Sequence, residues 1–152
     1  MGQQGPSGGT GGQFYNDNNP NSLIRQIIVH HGDYIDKIEI HYDDGTVFSH
    51  GGGGGDQVNA FVLAPGDSLK GILGLTGSHK DDPGPYVVTI SFISSAGVKS
   101  PTWGHEDQDW GNWPQLDNYS YTAPDGEVIT GFVGNCNAFV DSIGIFTAAP
   151  PH

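Results

Sequence analysis

The sequence predicts an all-β fold. Three observations carry that prediction: short runs of β-branched and aromatic residues, turn chemistry between most of them, and no long segment with apolar residues at helical spacing. With 25 Gly, 10 Pro and only 14% charged residues, the composition alone would suggest low complexity, but the runs 24–29, 60–63 and 86–93 are strand material. At 152 residues the chain is the size of one domain and long enough to bury a core.

In chain order, residues 1–7 are small and polar and are expected to be a flexible lead-in to a single domain spanning 8–147. Glycines 8, 9, 11 and 12 form a first loop, followed by Gln13-Phe14-Tyr15 and an Asn/Asp/Pro-rich turn over 16–21. Strand-like 23–29 leads to the stretch 31–42. There Ile38, Ile40 and Tyr42 fall on one face and Lys37, Glu39 and His41 on the other, the period of a half-buried strand. Asp43-Asp44-Gly45 then predicts a hairpin over 41–49, and Gly51 to Gly55 form a second glycine loop. Runs 59–63 and 69–75 flank the turn 64–67 and predict a second hairpin, 81–85 reads as loop, and 86–93 as strand. From 101 to 118 the pattern breaks into a Trp-rich, acidic insertion that fits a surface loop or an edge strand equally. Tyr119 to Thr122, the turn 124–126, strand 128–133, a loop over 134–141 and a final strand to 146 follow, with 148–152 as a tail.

A net charge of −12 with five Lys or Arg repels phosphates and anionic lipid headgroups, so nucleic acid and membrane surfaces are poor partners. No apolar run is long enough to span a bilayer, and the first residues carry neither a basic patch nor an apolar stretch; the compartment stays open. The single Cys136 excludes an internal disulfide and reads as a buried or half-buried small residue.

One frame recurs. Gly32-Asp33-Tyr34-Ile35-Asp36 and Asn137-Ala138-Phe139-Val140-Asp141 share the order flexible residue, any residue, aromatic, aliphatic, Asp, each ahead of a strand. Gly66 to Lys70 is taken as the third copy, with Lys70 in place of the Asp.

With the two glycine loops, Ile129-Thr130-Gly131-Phe132-Val133-Gly134 and Asp141-Ser142-Ile143-Gly144-Ile145, residues 8–146 resemble a jacalin-related lectin domain. The resemblance implies a β-prism of three antiparallel four-stranded Greek-key sheets with pseudo-threefold symmetry, non-catalytic and without metal or cofactor. It implies sugar sites in which an Asp-bearing loop faces a glycine loop. The first would pair Gly12, with Gly11, against Asn137, Ala138, Phe139 and Asp141; the second would pair Gly54 and Gly55 against Gly32, Asp33, Tyr34 and Asp36. Asn137 replaces the family's Gly, and Asn is the residue that best tolerates positive φ in its stead. The third position lacks both halves, having Lys70 for Asp and no Gly-Gly run around 104–111, so two sites are expected. The implied ligands are mannose/glucose-type glycans or glycoproteins, since galactose-preferring members have a cleaved chain at the first site and 1–12 here run uninterrupted. The implied assembly is a dimer or tetramer, which would raise the strength of weak single sites.

These residue types suit a sugar. An ionised Asp accepts two hydroxyl donors at once, backbone amides of Asp33 and Tyr34, or of Ala138 and Phe139, donate back, and facing glycines let the main chain approach. Tyr34 and Phe139 either flank the sugar or support the loop. The bland readings are that Asp36 and Asp141 cap turns, that the seven histidines are solvated or hydrogen-bonded and hold no metal, and that 105–109 is a solvated acidic loop without a calcium pattern. Two rival functions stay open: a β-prism interaction module acting through Trp103, Trp110 and Trp113, and a glycan-processing enzyme using the 105–109 carboxylates.

Overall fold

A computed structural model describes residues 2–151; Met1 of the expected lead-in and His152 of the tail, one of the seven histidines, lie outside them. The strands, in chain order, are β1 (Gly2–Gly8), β2 (Gln13–Tyr15), β3 (Ile24–His31), β4 (Ile35–Tyr42), β5 (Val47–Gly51), β6 (Gln57–Val62), β7 (Leu69–Gly77), β8 (Tyr86–Ser94), β9 (Trp103–Gly104), β10 (Asp117–Thr122), β11 (Val128–Cys136) and β12 (Ser142–Ala148). They build three antiparallel four-stranded sheets, β5-β4-β3-β6, β10-β7-β8-β9 and β1-β12-β11-β2. In each, three successive hairpin-connected strands are joined by a fourth that returns beside the first, the Greek-key order. In the sheet holding β1 and β12 the same order is kept although its strands come from both ends of the chain.

The core lies between the three sheets. Period-two alternation puts Ile38, Ile40 and Tyr42 of β4 inside, 1–2% exposed, where they meet Ile27 and Val29, Ile72, Ile90 and Phe92, and Phe132, Ile143 and Ile145 of the other strands. Each such side chain contributes about 1.5–3 kcal/mol on burial, and packing alone holds the sheets because Cys136, half-buried as expected, is free.

Three expectations change. The lead-in is strand β1, paired with β12 from Gly2↔Thr147 to Gly8↔Ser142, because a polar edge strand needs only a partner ladder and no apolar pattern. Runs 59–63 and 69–75 are not a hairpin: β6 pairs with β3 and β7 with β8 and β10, so the turn between them crosses from one sheet to the next. The Trp-rich insertion supplies β9, the start of β10 and one 3-10 turn (Trp110–Asn112), and so completes the β10-β7-β8-β9 sheet. The hairpin over 41–49 forms as β4-β5, its turn closed by the Gly45 N–H donating to Tyr42 O at 3.0 Å.

The three outer-strand ends mark the symmetry. Gly8, Gly51 and Gly104 have φ of 126°, 123° and 131°, and in each a Cβ would overlap one carbonyl, of Asp141, Asp36 and Val88 respectively. Only glycine allows that approach. Gly51→Ala is therefore expected to cost about 2–4 kcal/mol in thermal or urea unfolding, through clash and a left-handed backbone, while Gly53→Ala, in open space, leaves stability within about 0.5 kcal/mol.

Candidate functional site

Each central hairpin ends in a loop at the same end of the prism, and a second loop, between the outer strands of the same sheet, covers it. The pairs are 137–141 with 9–12, 32–36 with 52–56, and 84–88 with 105–116. One hydrogen bond repeats in all three: Gly9 N–H donates to Asp141 O at 2.8 Å, Gly52 N–H to Asp36 O at 2.9 Å and His105 N–H to Val88 O at 3.2 Å.

The third copy of the frame is thus Gly84-Pro85-Tyr86-Val87-Val88, and the assignment to Gly66–Lys70 is corrected. Gly66 sits in the β6-β7 turn at the opposite end of the sheets, and Lys70 Nζ donates to Pro124 O (2.8 Å) and Glu127 O (2.9 Å). A search keyed on a charged fifth residue passes over Val88, where the charge is gone. Asn137 also needs no tolerance of positive φ. Among the described residues no non-glycine residue has it, nor does Gly32, and Asn137 N–H donates to Phe139 O (2.9 Å) just as Gly32 N–H donates to Tyr34 O (3.0 Å).

The loops are coupled. Val87 N–H donates to Val140 O (2.9 Å) and Val140 N–H to Ile35 O (2.8 Å). The aromatics of the frame, Tyr34, Tyr86 and Phe139, form a triangle with ring centroids 4.8, 4.9 and 5.0 Å apart. Tyr34 is buried and its hydroxyl donates to Asp82 Oδ2 and accepts from His79 N–H (3.0 Å), so it supports its loop. Such aromatic pairs add about 0.5–1.5 kcal/mol each beyond area.

In the first site, Asp141 is 7% exposed and lies against Gly11 and Gly12, whose Cβ positions would be 3.2 Å from its two carboxylate oxygens. Gly12 has φ 78° and crowds Cys136 O, which keeps it glycine. Asn137 and Ala138 are exposed on the facing loop, and the carbonyl of Ala138 packs on Gly52, so the second site's glycine loop leans on the first site's wall. Burial pushes the Asp141 carboxyl up.

In the second site, Asp36 is 6% exposed and its Oδ1 is buried without a hydrogen-bond partner. A Cβ at Gly54 would fall 2.7 Å from its Oδ2, and Gly55, at φ 99°, crowds the backbone of His30 and His31. Burial, then the charge of Asp56, pushes the Asp36 carboxyl up to about 6, with His31 and His30 opposing. Gly32, Asp33, Tyr34, Asp36 and Gly55 line one depression of about 310 Å³ together with Asp56, Asp82 and Phe139. Those last three were beyond sequence reasoning for this site, since nothing in their local pattern shows that they approach Asp36.

The third position is filled by protein. Trp113, 4% exposed, packs on Val88 and Tyr34 where a glycine loop and a carboxylate would otherwise face each other. His105 locks this plug: its Nδ1 is 3.0 Å from Asp33 Oδ1, its Nε2 2.5 Å from Asp109 Oδ1, and its ring meets Trp110 and Trp113 at 4.6 and 4.3 Å. The loop 105–109 is therefore tied at both ends of that imidazole. Asp33, His105 and Asp107 place ligand atoms within 4.8 Å of one another, but both ring nitrogens of His105 already face carboxylates. His31 is likewise engaged, with Gly104 N–H donating to its Nδ1 at 3.1 Å and Asn59 Oδ1 2.8 Å from its Nε2.

Residues 4–146 match the family model of the jacalin-like lectin domain. The chain belongs to that family. The match begins within β1, in keeping with a strand where a lead-in was expected. This jacalin-like domain is 28% identical to the mannose/glucose-specific lectins of Parkia platycephala and Parkia pendula, over 97% of its own length and 32% of theirs. It thus spans about a third of the length of the curated relatives it matches. Among solved structures, the mannose-binding lectin from Champedak superposes with a TM-score of 0.78 at 25% identity, covering 96% of this chain and 95% of that one. Artocarpin complexed with methyl α-mannose gives 0.77 at 25%, with 96% of each chain covered. Calystegia sepium agglutinin shares the fold, with a TM-score of 0.78 at 23% identity over 97% and 96% of the two chains.

Proposed function

We propose that this domain is a non-catalytic lectin that binds mannose/glucose-type hexoses at two shallow sites, centred on Asp141 and Asp36. One observation carries the reading: each site has a carboxylate more than 90% buried facing a glycine loop, and Asp36 keeps an acceptor oxygen with no partner among the described residues. A buried acceptor left unpaired costs about 1–3 kcal/mol, and a pair of sugar hydroxyls satisfies it. The names of the Parkia, Champedak and artocarpin relatives support mannose or glucose as the ligand class. The partners are glycans or glycoproteins, and a dimer or tetramer would gather several weak sites on one particle.

The interaction-module alternative keeps only Trp110 at the surface, where it lines a depression with Leu73 and Leu75, since Trp103 and Trp113 are buried. The glycan-processing alternative keeps only Glu106 and Asp107 as exposed acids, since His105 and Asp109 bind each other, and turnover of a glycan by the pure protein would revive it.

Calorimetric titration with methyl α-mannoside tests the reading. The expected stoichiometry is two for the wild type, one for Asp36→Asn or Asp141→Asn, and none detectable for the double variant, a loss of about tenfold or more per site. Unchanged binding by the double variant, or none by the wild type, overturns it.

A further inference from the structure

The two sites differ in charge. Around Asp141 no carboxylate adds to the effect of burial, whereas Asp36 feels Asp56 and Asp33 as like charges. The depression over Asp36 holds Asp33, Asp56 and Asp82, and it runs, through the shared residues Gly32, Asp33 and Asp56, into a second hollow of about 290 Å³ lined by Gln57, Glu106 and Asp107. Five exposed carboxylates thus rim one buried, unpartnered carboxylate, and no Lys or Arg is among the lining residues. The nearby imidazoles are committed: His30 to Glu39 at 2.8 Å, His31 to Asn59 and Gly104, His105 to Asp33 and Asp109. Asp33 already meets His105 and Asp82 the Tyr34 hydroxyl, so a neutral hexose would satisfy Asp36 and leave Asp56, Glu106 and Asp107 with no cation facing them.

We propose that the second site selects a hexose bearing a protonated amino group, a 2-amino-2-deoxy sugar of the glucosamine class, with its ammonium toward Asp56 and the Glu106–Asp107 edge. The inference rests on the sugar-binding reading of this site. The unpartnered Asp36 oxygen and its glycine wall suit hydroxyls, and the rim suits a cation, so one small ligand must carry both. A bare metal ion suits the hollow less well, because the one imidazole in reach has both nitrogens engaged. A simple amine would leave the hydroxyl acceptors of Asp36 unused.

The test follows backbone amide shifts of the isotope-labelled full chain at pH 7.5 during titration with glucosamine, glucose, N-acetylglucosamine, methyl α-mannoside and ethanolamine. At low salt glucosamine should bind about fivefold to tenfold tighter than glucose or N-acetylglucosamine, with shifts at 32–36, 54–57 and 104–107. At about 1 M salt the preference should fall below about twofold, as screening requires. The first site, reported by 137–141, should show no preference. Glu106→Gln/Asp107→Asn should lose the glucosamine preference and keep methyl α-mannoside binding. Equal affinity for glucosamine and glucose, survival of the preference in that variant, or equal binding of ethanolamine overturns the proposal. So does calcium or zinc binding that saturates at Asp33 and Asp107 and abolishes the preference. If methyl α-mannoside binds and glucosamine is not preferred, only this proposal falls; if no sugar binds, the carbohydrate reading falls with it.

Discussion

Asp36→Asn is expected to empty the second site of sugar and, at pH 7.5, to raise the thermal midpoint of the protein by about 2–8 °C. The two effects share one cause. Burial and the neighbouring Asp56 hold the folded carboxyl at about 6, against an ordinary value of 3.8. Between those values the folded chain binds a proton that the unfolded chain has released, so this group lowers stability as pH rises. The penalty is absent below about pH 4 and complete above about pH 6. A shift of that size corresponds to at most about 3 kcal/mol, and the open rim of the site reduces it to about 1–2 kcal/mol. Asn has the same shape without the charge, so the difference between variant and wild type should be present at pH 7.5 and vanish near pH 4. Differential scanning calorimetry at the two pH values measures it. A variant that is less stable than the wild type at pH 7.5 would mean that Asp36 is structural, held by partners within its own loop. Binding carries the matching dependence: as pH falls through about 6, the second site loses its anionic acceptor, while Asp141, raised by burial alone, has no like-charged neighbour to hasten its loss.

Trp113→Ala is the most destabilising single change expected. Its side chain is 4% exposed and wedged among Val88, Tyr34 and His105, in a cluster joined by Leu75, Tyr86, Leu116 and Phe139. Truncating a buried Trp leaves a cavity and costs about 3–5 kcal/mol, which for a domain of this length lowers the midpoint by about 6–20 °C. Trp113→Phe, which keeps a ring in the gap, should recover a large part. Because Trp113 also holds Tyr34 and His105, and His105 holds Asp33, sugar affinity should fall more at the second site than at the first. Equal losses at the two sites, or a drop of less than about 1 kcal/mol, would show that 105–113 is a surface loop and not the filling of the third position.

The symmetry makes sense of that filling. At the first two positions a glycine loop faces a carboxylate, and beside Asp36 a depression stays open. At the third, the carboxylate has become Val88, and an apolar floor calls for an apolar cover, which Trp113 supplies. The two losses stabilise each other: Trp113 over an Asp would bury an unpaired charge, and Val88 under glycines would be exposed.

Much of this was legible in the residues themselves. The alternation in 37–42, the Asp43-Asp44-Gly45 turn, and the aromatic-aliphatic-Asp order of 34–36 and 139–141 are local, because side-chain direction and turn type depend on residues one to four positions away. They determined that the chain is all-β and where its two carboxylate loops lie; that a glycine loop faces each followed from the resemblance to the jacalin-related family, and the third position without its carboxylate was placed on the wrong residues, Gly66 to Lys70. The tertiary structure alone decided that β6 and β7 lie in different sheets, that polar Gly2–Gly8 is a strand, that the true third copy is Gly84 to Val88, and that Asp56, Asp82 and Phe139 crowd the second site. A strand's partner and a loop's neighbours are fixed by packing between segments distant in sequence, and that packing leaves no mark in the periodicity of either segment alone.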